Sequence, residues 1–191
     1  MEKQYGKLTL DGVTFGLDDW KDTQWQEKAF RKPMRFWIRD EIEEIIKEEN
    51  IDRKRFYEFS KFRYQDIINK FWYTFCDYRN FVTDKIRLEY HGLHLRKNLE
   101  NYIIAGFFQS ADWLDYLEKI RHEISTDGKL YLILSEGWVY EGYLSEIIKV
   151  LSETDCWLQD FYVVSPKFEW FVVHDYIEDC AEMYRKINRG S

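Results

Sequence analysis

Histidine titrates nearest neutrality, so the four histidines of the chain are the first place to look for an acid, a base or a metal ligand. His91 and His94 form an H-x-x-H pair, with Asp84 and Glu89 nearby as further ligands. The pair would share a face only on a helix, and Gly92 between them weakens that helix. Lacking a firmly placed third ligand, the pair reads as surface or half-buried histidine and no metal is expected. His174 abuts Asp175 at the end of a strand-like run, which could orient an imidazole as a general base, with Glu141 completing a hydrolase-like site. The plainer reading gives Asp175 to the N-cap of a following helix. Ser135 in L-S-E-G-W follows a strand but lacks the first glycine of G-x-S-x-G. Cys156 and Cys180 sit among apolar residues, where free cysteine behaves as a small hydrophobe. Glu136, Glu141 and Glu169 lie close in sequence to Trp138 and Trp170, the pairing of acids and rings found in sugar sites, although structural tryptophan beside solvated glutamate is the commoner arrangement. The nine glycines never form G-x-G-x-x-G or G-x-x-x-x-G-K, so no nucleotide cofactor is expected.

One basic run, Arg53 to Tyr64, interleaves Arg53, Arg55, Lys61 and Arg63 with Phe56, Tyr57, Phe59 and Phe62. It could grip single-stranded nucleic acid by stacking and phosphate pairing, but its aromatics fall at helical spacing and read mostly as core. Charge argues the same way. Residues 1–100 carry 20 basic and 19 acidic side chains, and residues 101–191 carry 8 and 16, so the second half holds a net charge of -8 within a total of -7. An acidic surface repels phosphate and draws in basic partners; nucleic-acid binding is disfavoured and a basic protein partner is expected.

With 45% hydrophobic and 19% aromatic residues in 191, the chain has ample apolar area for one packed domain. Its opening Met-Glu-Lys-Gln-Tyr-Gly shows no basic segment followed by an apolar run, and no apolar stretch approaches the ~20 residues of a membrane span. Three cysteines at wide spacing suit a reducing compartment, so a cytoplasmic, membrane-free protein is expected.

The elements that must position these residues divide at two places. Residues 1–37 read as a hairpin or arm, with a strand-like Lys7–Phe15 segment. Residues 38–127 read as mainly helical. Asp40 and Glu43 give a capping-box signature ahead of an Ile42, Ile45, Ile46 stripe; Ile67, Ile68, Phe71 and Phe75 line a second helix; Trp113, Leu114, Leu117, Ile120 and Ile124 line a third, beginning at Ser110. Residues 128–191 read as β-α-β-β-α. The run Lys129–Ser135 is a strand, and Trp138–Tyr140 can add a short one. A helix opens at Gly142, the runs Phe161–Ser165 and Phe168–His174 flank Pro166, and Asp175 with Glu178 caps a closing helix that buries Ile177, Cys180, Ala181, Tyr184 and Ile187. The expected class is α+β, a helical N-terminal half packed on a small C-terminal unit within a single domain.

Trp138-Val139-Tyr140-Glu141-Gly142, the helix carrying Ile147 and Ile148, Phe161-Tyr162-Val163-Val164-Ser165 and Lys167-Phe168-Glu169-Trp170 together resemble an uncharacterised family of small acidic bacterial proteins. Its members pair a W-x-Y-E-G box with a Y-Y-I-V-S-K-K-Y-E-W-L box. The resemblance spans about residues 38 to 176 and departs from the family at Val173-His174-Asp175-Tyr176, where relatives continue with an Asn-His-His type of segment. It supplies no catalytic residues. It implies likeness to immunity proteins, which need only a pre-formed acidic and aromatic surface to fill a cationic toxin site. The expectation is a non-enzymatic binding factor for a toxin or other basic partner, docking through Trp138, Tyr140, Glu141, Glu169 and Trp170.

Overall fold

The computed structural model describes residues 7–10, 13–16, 34–77, 88, 90, 93–105, 110–121, 128–154, 158–178 and 180–187. The chain divides into two compact units, Met1–Glu41 and Ile42–Ser191. In the first, Lys7–Leu10 (β1) and Val13–Gly16 (β2) pair antiparallel, with Leu10 opposite Val13.

The boundary between the units falls within helix α1 (Met34–Glu48). The helix begins six residues before Asp40, so Asp40 and Glu43 form no capping box: Asp40 lies beside Arg39, and Glu43 accepts two bonds from Arg53 at 2.6 and 3.1 Å. The Ile42, Ile45 and Ile46 stripe is buried as expected. The helix stops in a left-handed turn at Asn50 (φ 50°), where Ile51 N–H bonds Ile46 C=O and Asn50 N–H bonds Lys47 C=O. This closure satisfies carbonyls the helix would leave open, and it buries Ile51.

The second unit is built on a seven-stranded sheet whose neighbouring strands all run antiparallel. Its strands are β3 (Phe56–Glu58), β4 (Leu99–Ala105), β5 (Leu130–Leu134), β6 (Val139–Gly142), β7 (Phe161–Val164), β8 (Trp170–Asp175) and β9 (Cys180–Lys186), in the spatial order β3-β6-β5-β7-β8-β9-β4. A short turn of 3₁₀ helix (Lys61–Arg63) leads into α2 (Tyr64–Phe75); α3 (Ser110–Ile120) and α4 (Leu144–Glu153) complete the helices. The class is α+β, with two corrections. Residues 38–127 contribute two strands, β3 and β4, to the same sheet as the C-terminal residues. Residues 128–191 run β-β-α-β-β-β, because the segment expected to close as a helix is the strand β9. Its apolar residues do recur at helical spacing, but β9 lies between β8 and β4 and takes backbone bonds on both sides, an outcome local periodicity cannot report. Ile177 and Ile187, expected in the core, are exposed. Asp175 does accept the N–H groups of Ile177 (3.0 Å) and Glu178 (3.3 Å), but the result is a turn into β9.

Because strand side chains alternate, the register sorts residues onto two faces. One face presents Val139, Ile133, Tyr162, Val164, Phe171, Val173 and Tyr184, on which α2 packs Ile67, Ile68, Phe71 and Phe75. The other presents Tyr140, Leu130, Leu132, Leu134, Phe161, Val163, Val172 and Met183, and is equally buried. Helix α3 packs on β4, β9 and α4.

Two details set tolerance to substitution. A Cβ on Gly142 would lie 2.4 Å from Phe56 Cδ2 and 2.9 Å from the Arg55 carbonyl, whereas one on Gly128 would meet nothing within 4 Å. Gly142→Ala should therefore lower the urea midpoint by an amount equivalent to about 2 kcal/mol, while Gly128→Ala changes it little. Asp160 is buried and accepts backbone N–H groups from Tyr90 (2.8 Å) and Tyr176 (2.9 Å), tying two distant segments to the start of β7. Asp160→Ala leaves both donors unsatisfied and should cost about 3 kcal/mol in the same measurement.

Candidate functional site

The α2-covered face runs on to the β3 edge of the sheet. There Tyr57, Glu141 and Tyr131 stand opposite one another on β3, β6 and β5, all half-buried. Tyr57 OH donates to Glu141 Oε2 at 2.6 Å. That bond, reinforced by burial, pushes the Tyr57 ionisation up to about 12. Burial and the nearby Glu141 carboxylate raise Tyr131 as well. Lys129 lies 4.5 Å over the Tyr57 ring, Phe59 meets Tyr131 edge-on at 5.7 Å, and Arg63 lies 5.4 Å over Phe59. Tyr131 also touches Phe168, whose ring carries Lys70 at 4.6 Å. A carboxylate set among partly exposed rings is suited to receiving a cation, and neither tyrosine ionises near neutral pH.

Of the five residues expected to form a docking surface, Glu141 belongs to this row. Trp138 is half-buried at its rim, edge-on to Tyr64 at 6.1 Å, and Tyr64 OH donates to Glu58. Tyr140 and Trp170 are corrections. Tyr140 is fully buried on the opposite face, stacked on Phe56 at 5.2 Å, and Trp170 is 7% exposed, so neither ring is available to a partner. Both lie at alternate strand positions pointing into the second core. Glu169 is exposed in the β7–β8 turn. Glu141, Tyr131, Val164 and Phe171 stand in line across β6, β5, β7 and β8, which puts Phe171 three strands, about 14 Å, from Glu141, and Glu169 two residues beyond that line. Glu141 and Glu169, two of the acids weighed for a sugar site, are thus not gathered around one ring.

The hydrolase-like constellation separates too. His174 is three residues along β8 from Phe171, hence on the opposite face of the sheet from Glu141, stacked on Phe161 at 5.1 Å. Its neighbour Asp175 is committed to backbone donors. In the basic run, Arg55 grips Glu146 through Nε (2.6 Å) and Nη2 (3.1 Å), and Arg53 grips Glu43. Burial of Glu146 opposes its ionisation, but the Arg55 and Ser145 bonds win and hold its carboxyl below the usual range. Phe56 is core as expected, whereas Phe62 is 96% exposed. Cys180 is half-buried; His91, Glu89, Asp84 and Cys156 lie outside the described residues. Among the described residues no group of three His, Cys, Asp or Glu is placed to hold a metal ion, and no helix is long and apolar enough to cross a membrane.

Sequence reasoning missed Tyr131 and Lys129, and placed Tyr57 only in the basic aromatic run, not beside Glu141. The available signal was the alternation Lys129, Tyr131 inside an otherwise apolar strand, which marks a face that is not wholly buried.

These features define an α+β protein whose candidate site is a half-buried tyrosine–carboxylate row at the β3 edge of an antiparallel sheet. The model of a family of unknown function, DUF6756, matches residues 34–190, and the chain belongs to that family. No curated protein and no solved structure matches it.

The Tyr57–Glu141 bond makes a measurable prediction. Folding raises Tyr57 from its ordinary ~10 to about 12, so its stabilising contribution is complete below pH ~10 and is lost as pH climbs from there through 12. In an ultraviolet absorbance titration, Glu141→Gln should move the ionisation of Tyr57, and to a lesser extent that of Tyr131, down toward the ordinary value and shift the onset of alkaline unfolding to lower pH.

Proposed function

We propose that the chain is a cytoplasmic, non-enzymatic factor that binds a basic protein, in the manner of an immunity or inhibitor protein holding a toxin. The observation that carries the reading is Glu141, half-buried and fixed by Tyr57, with Tyr131 beside it in register. A carboxylate already fixed by a neighbour loses little freedom when a partner's lysine or arginine arrives, and flanking rings exclude water around the new pair. Trp138 extends the aromatic rim, and the net charge of -7 steers a cationic partner toward the molecule. Tyr140 and Trp170 have no part in this surface.

The product of the neighbouring reading frame is the partner to test. Co-expression should relieve its toxicity, and the two chains should co-purify with an affinity that falls as salt rises. Glu141→Lys should weaken the complex by at least tenfold through slower association and faster release. Absence of both co-purification and protection would remove the proposal.

A further inference from the structure

Single exposed apolar side chains are ordinary on a protein surface, whereas adjacent ones held in a fixed turn call for a covering partner. Among the described residues the exposed large hydrophobics are Trp37, Phe62, Tyr73, Tyr176, Ile177 and Ile187. Of these, Tyr176 and Ile177, 53% and 67% exposed, stand side by side in the turn from β8 to β9. Three successive N–H groups of that turn end on buried carboxylates: Tyr176 on Asp160 at 2.9 Å, Ile177 and Glu178 on Asp175 at 3.0 and 3.3 Å. The backbone beneath the two side chains is set before any partner arrives, so little main-chain freedom is left to lose on docking.

Charge separates this pair from the other exposed apolar side chains and selects its occupant. Trp37 lies between Arg35 and Arg39, Phe62 between Lys61 and Arg63, and Ile187 after Arg185 and Lys186, while Arg96 donates to the Tyr73 carbonyl at 2.7 Å. Around the β8–β9 turn the sign reverses. Residues 168–184 hold five acidic side chains and no lysine or arginine. Glu178 is exposed beside Ile177, and among the described residues no side chain pairs with its carboxylate. An acidic rim around an apolar pair draws in a cationic surface and repels an acidic one, a second copy of this chain included. We propose that Tyr176 and Ile177 are the apolar anchors by which the chain holds its basic partner, seated in an apolar notch of that protein whose lysine or arginine rim faces Glu178. The inference rests on the basic-partner reading and adds a second contact to it. Phe171 lies about 14 Å across the sheet from Glu141, and Asp175 about 13 Å further along β8. The turn and the Glu141 row are thus about 20 Å apart, a span within the ~800 Å² that one partner of ordinary size covers.

Calorimetric titration of the full chain with the product of the neighbouring reading frame tests it, the melting temperature of each variant serving as the check on folding. Tyr176→Ser and Ile177→Ser should each weaken the complex about tenfold with an unchanged melting temperature, and Glu178→Lys should slow association. Phe62→Ser, which removes an exposed ring from basic surroundings, should leave the affinity as it was. A complex that Glu141→Lys weakens but Tyr176→Ser and Ile177→Ser do not overturns this inference and leaves the Glu141 reading standing. Equal weakening by Phe62→Ser also overturns it, because exposed apolar area in general would then be responsible. A chain that neither holds nor neutralises that product removes the basic-partner reading and this contact with it.

Discussion

Burial of the sheet on both faces is the constraint from which the rest of the structure follows. Along β7 and β8 every residue is buried, and along β5 only Tyr131 is partly accessible. No water reaches the backbone of those strands, so each N–H and C=O must pair within the ladder, and ionisable side chains are expelled to turns and edges or matched on the spot. Asp160 and Asp175, at the start of β7 and the end of β8, are buried only because backbone donors surround them. Two tyrosine hydroxyls obey the same rule: Tyr162 donates to the Leu88 carbonyl, and Tyr184 donates to Glu182, which also takes Asn101. The half-buried carboxylates lie toward the two sides of the sheet, Glu141 on β6 next to the short strand β3 and Glu182 on β9 next to β4.

The two sequence boxes take their meaning from this constraint. In Trp138–Gly142, Tyr140 stacks on Phe56 and Gly142 leaves room for the same ring, so the box is the seat on which β3 is held. In Ser165–Trp170, the Ser165 hydroxyl accepts the N–H groups of Glu169 (2.8 Å) and Trp170 (3.2 Å), while its own N–H reaches the Trp170 carbonyl. That turn lets Phe168 adopt φ 57° and still bury its ring. Tyr140, Gly142, Ser165, Phe168 and Trp170 of these boxes are therefore spent on folding, while Trp138, Glu141 and Glu169 keep some exposure.

Legibility followed the same line. The strand β5, the pair β7 and β8, and the apolar stripes of α1, α2 and α3 could be read because each expresses its own period over enough residues. Strand β3 could not, since three residues inside a basic aromatic run carry no period, and β9 reads as helix because Cys180, Ala181 and Tyr184 recur at helical spacing, whereas the sheet buries Ala181 on one face and Tyr184 on the other. These errors, like the missed β4, concern strands whose identity is decided by distant partners: β6 for β3, β9 for β4, and β4 with β8 for β9. The site suffered likewise: Glu141 was visible as an acid beside aromatics, but Tyr57 lies 84 residues away from it in the chain.

The direction in which burial moves these titrating groups sets them apart from groups tuned for proton transfer. Catalytic acids and bases work best when their ionisation is brought toward ambient pH. Here burial pushes Cys76 up to about 12 and lifts Tyr90 and Tyr184 well above their ordinary value, Glu141 and burial do the same to Tyr57, and Arg55 holds Glu146 low. Each of these groups moves away from neutrality and keeps one protonation state across the physiological range. Cys76 and Tyr184 are buried, and Tyr90, Tyr57 and Glu146 are half-buried, so these shifts keep the folded interior and its margins in one charge state; the bonds that set them are bonds of the fold.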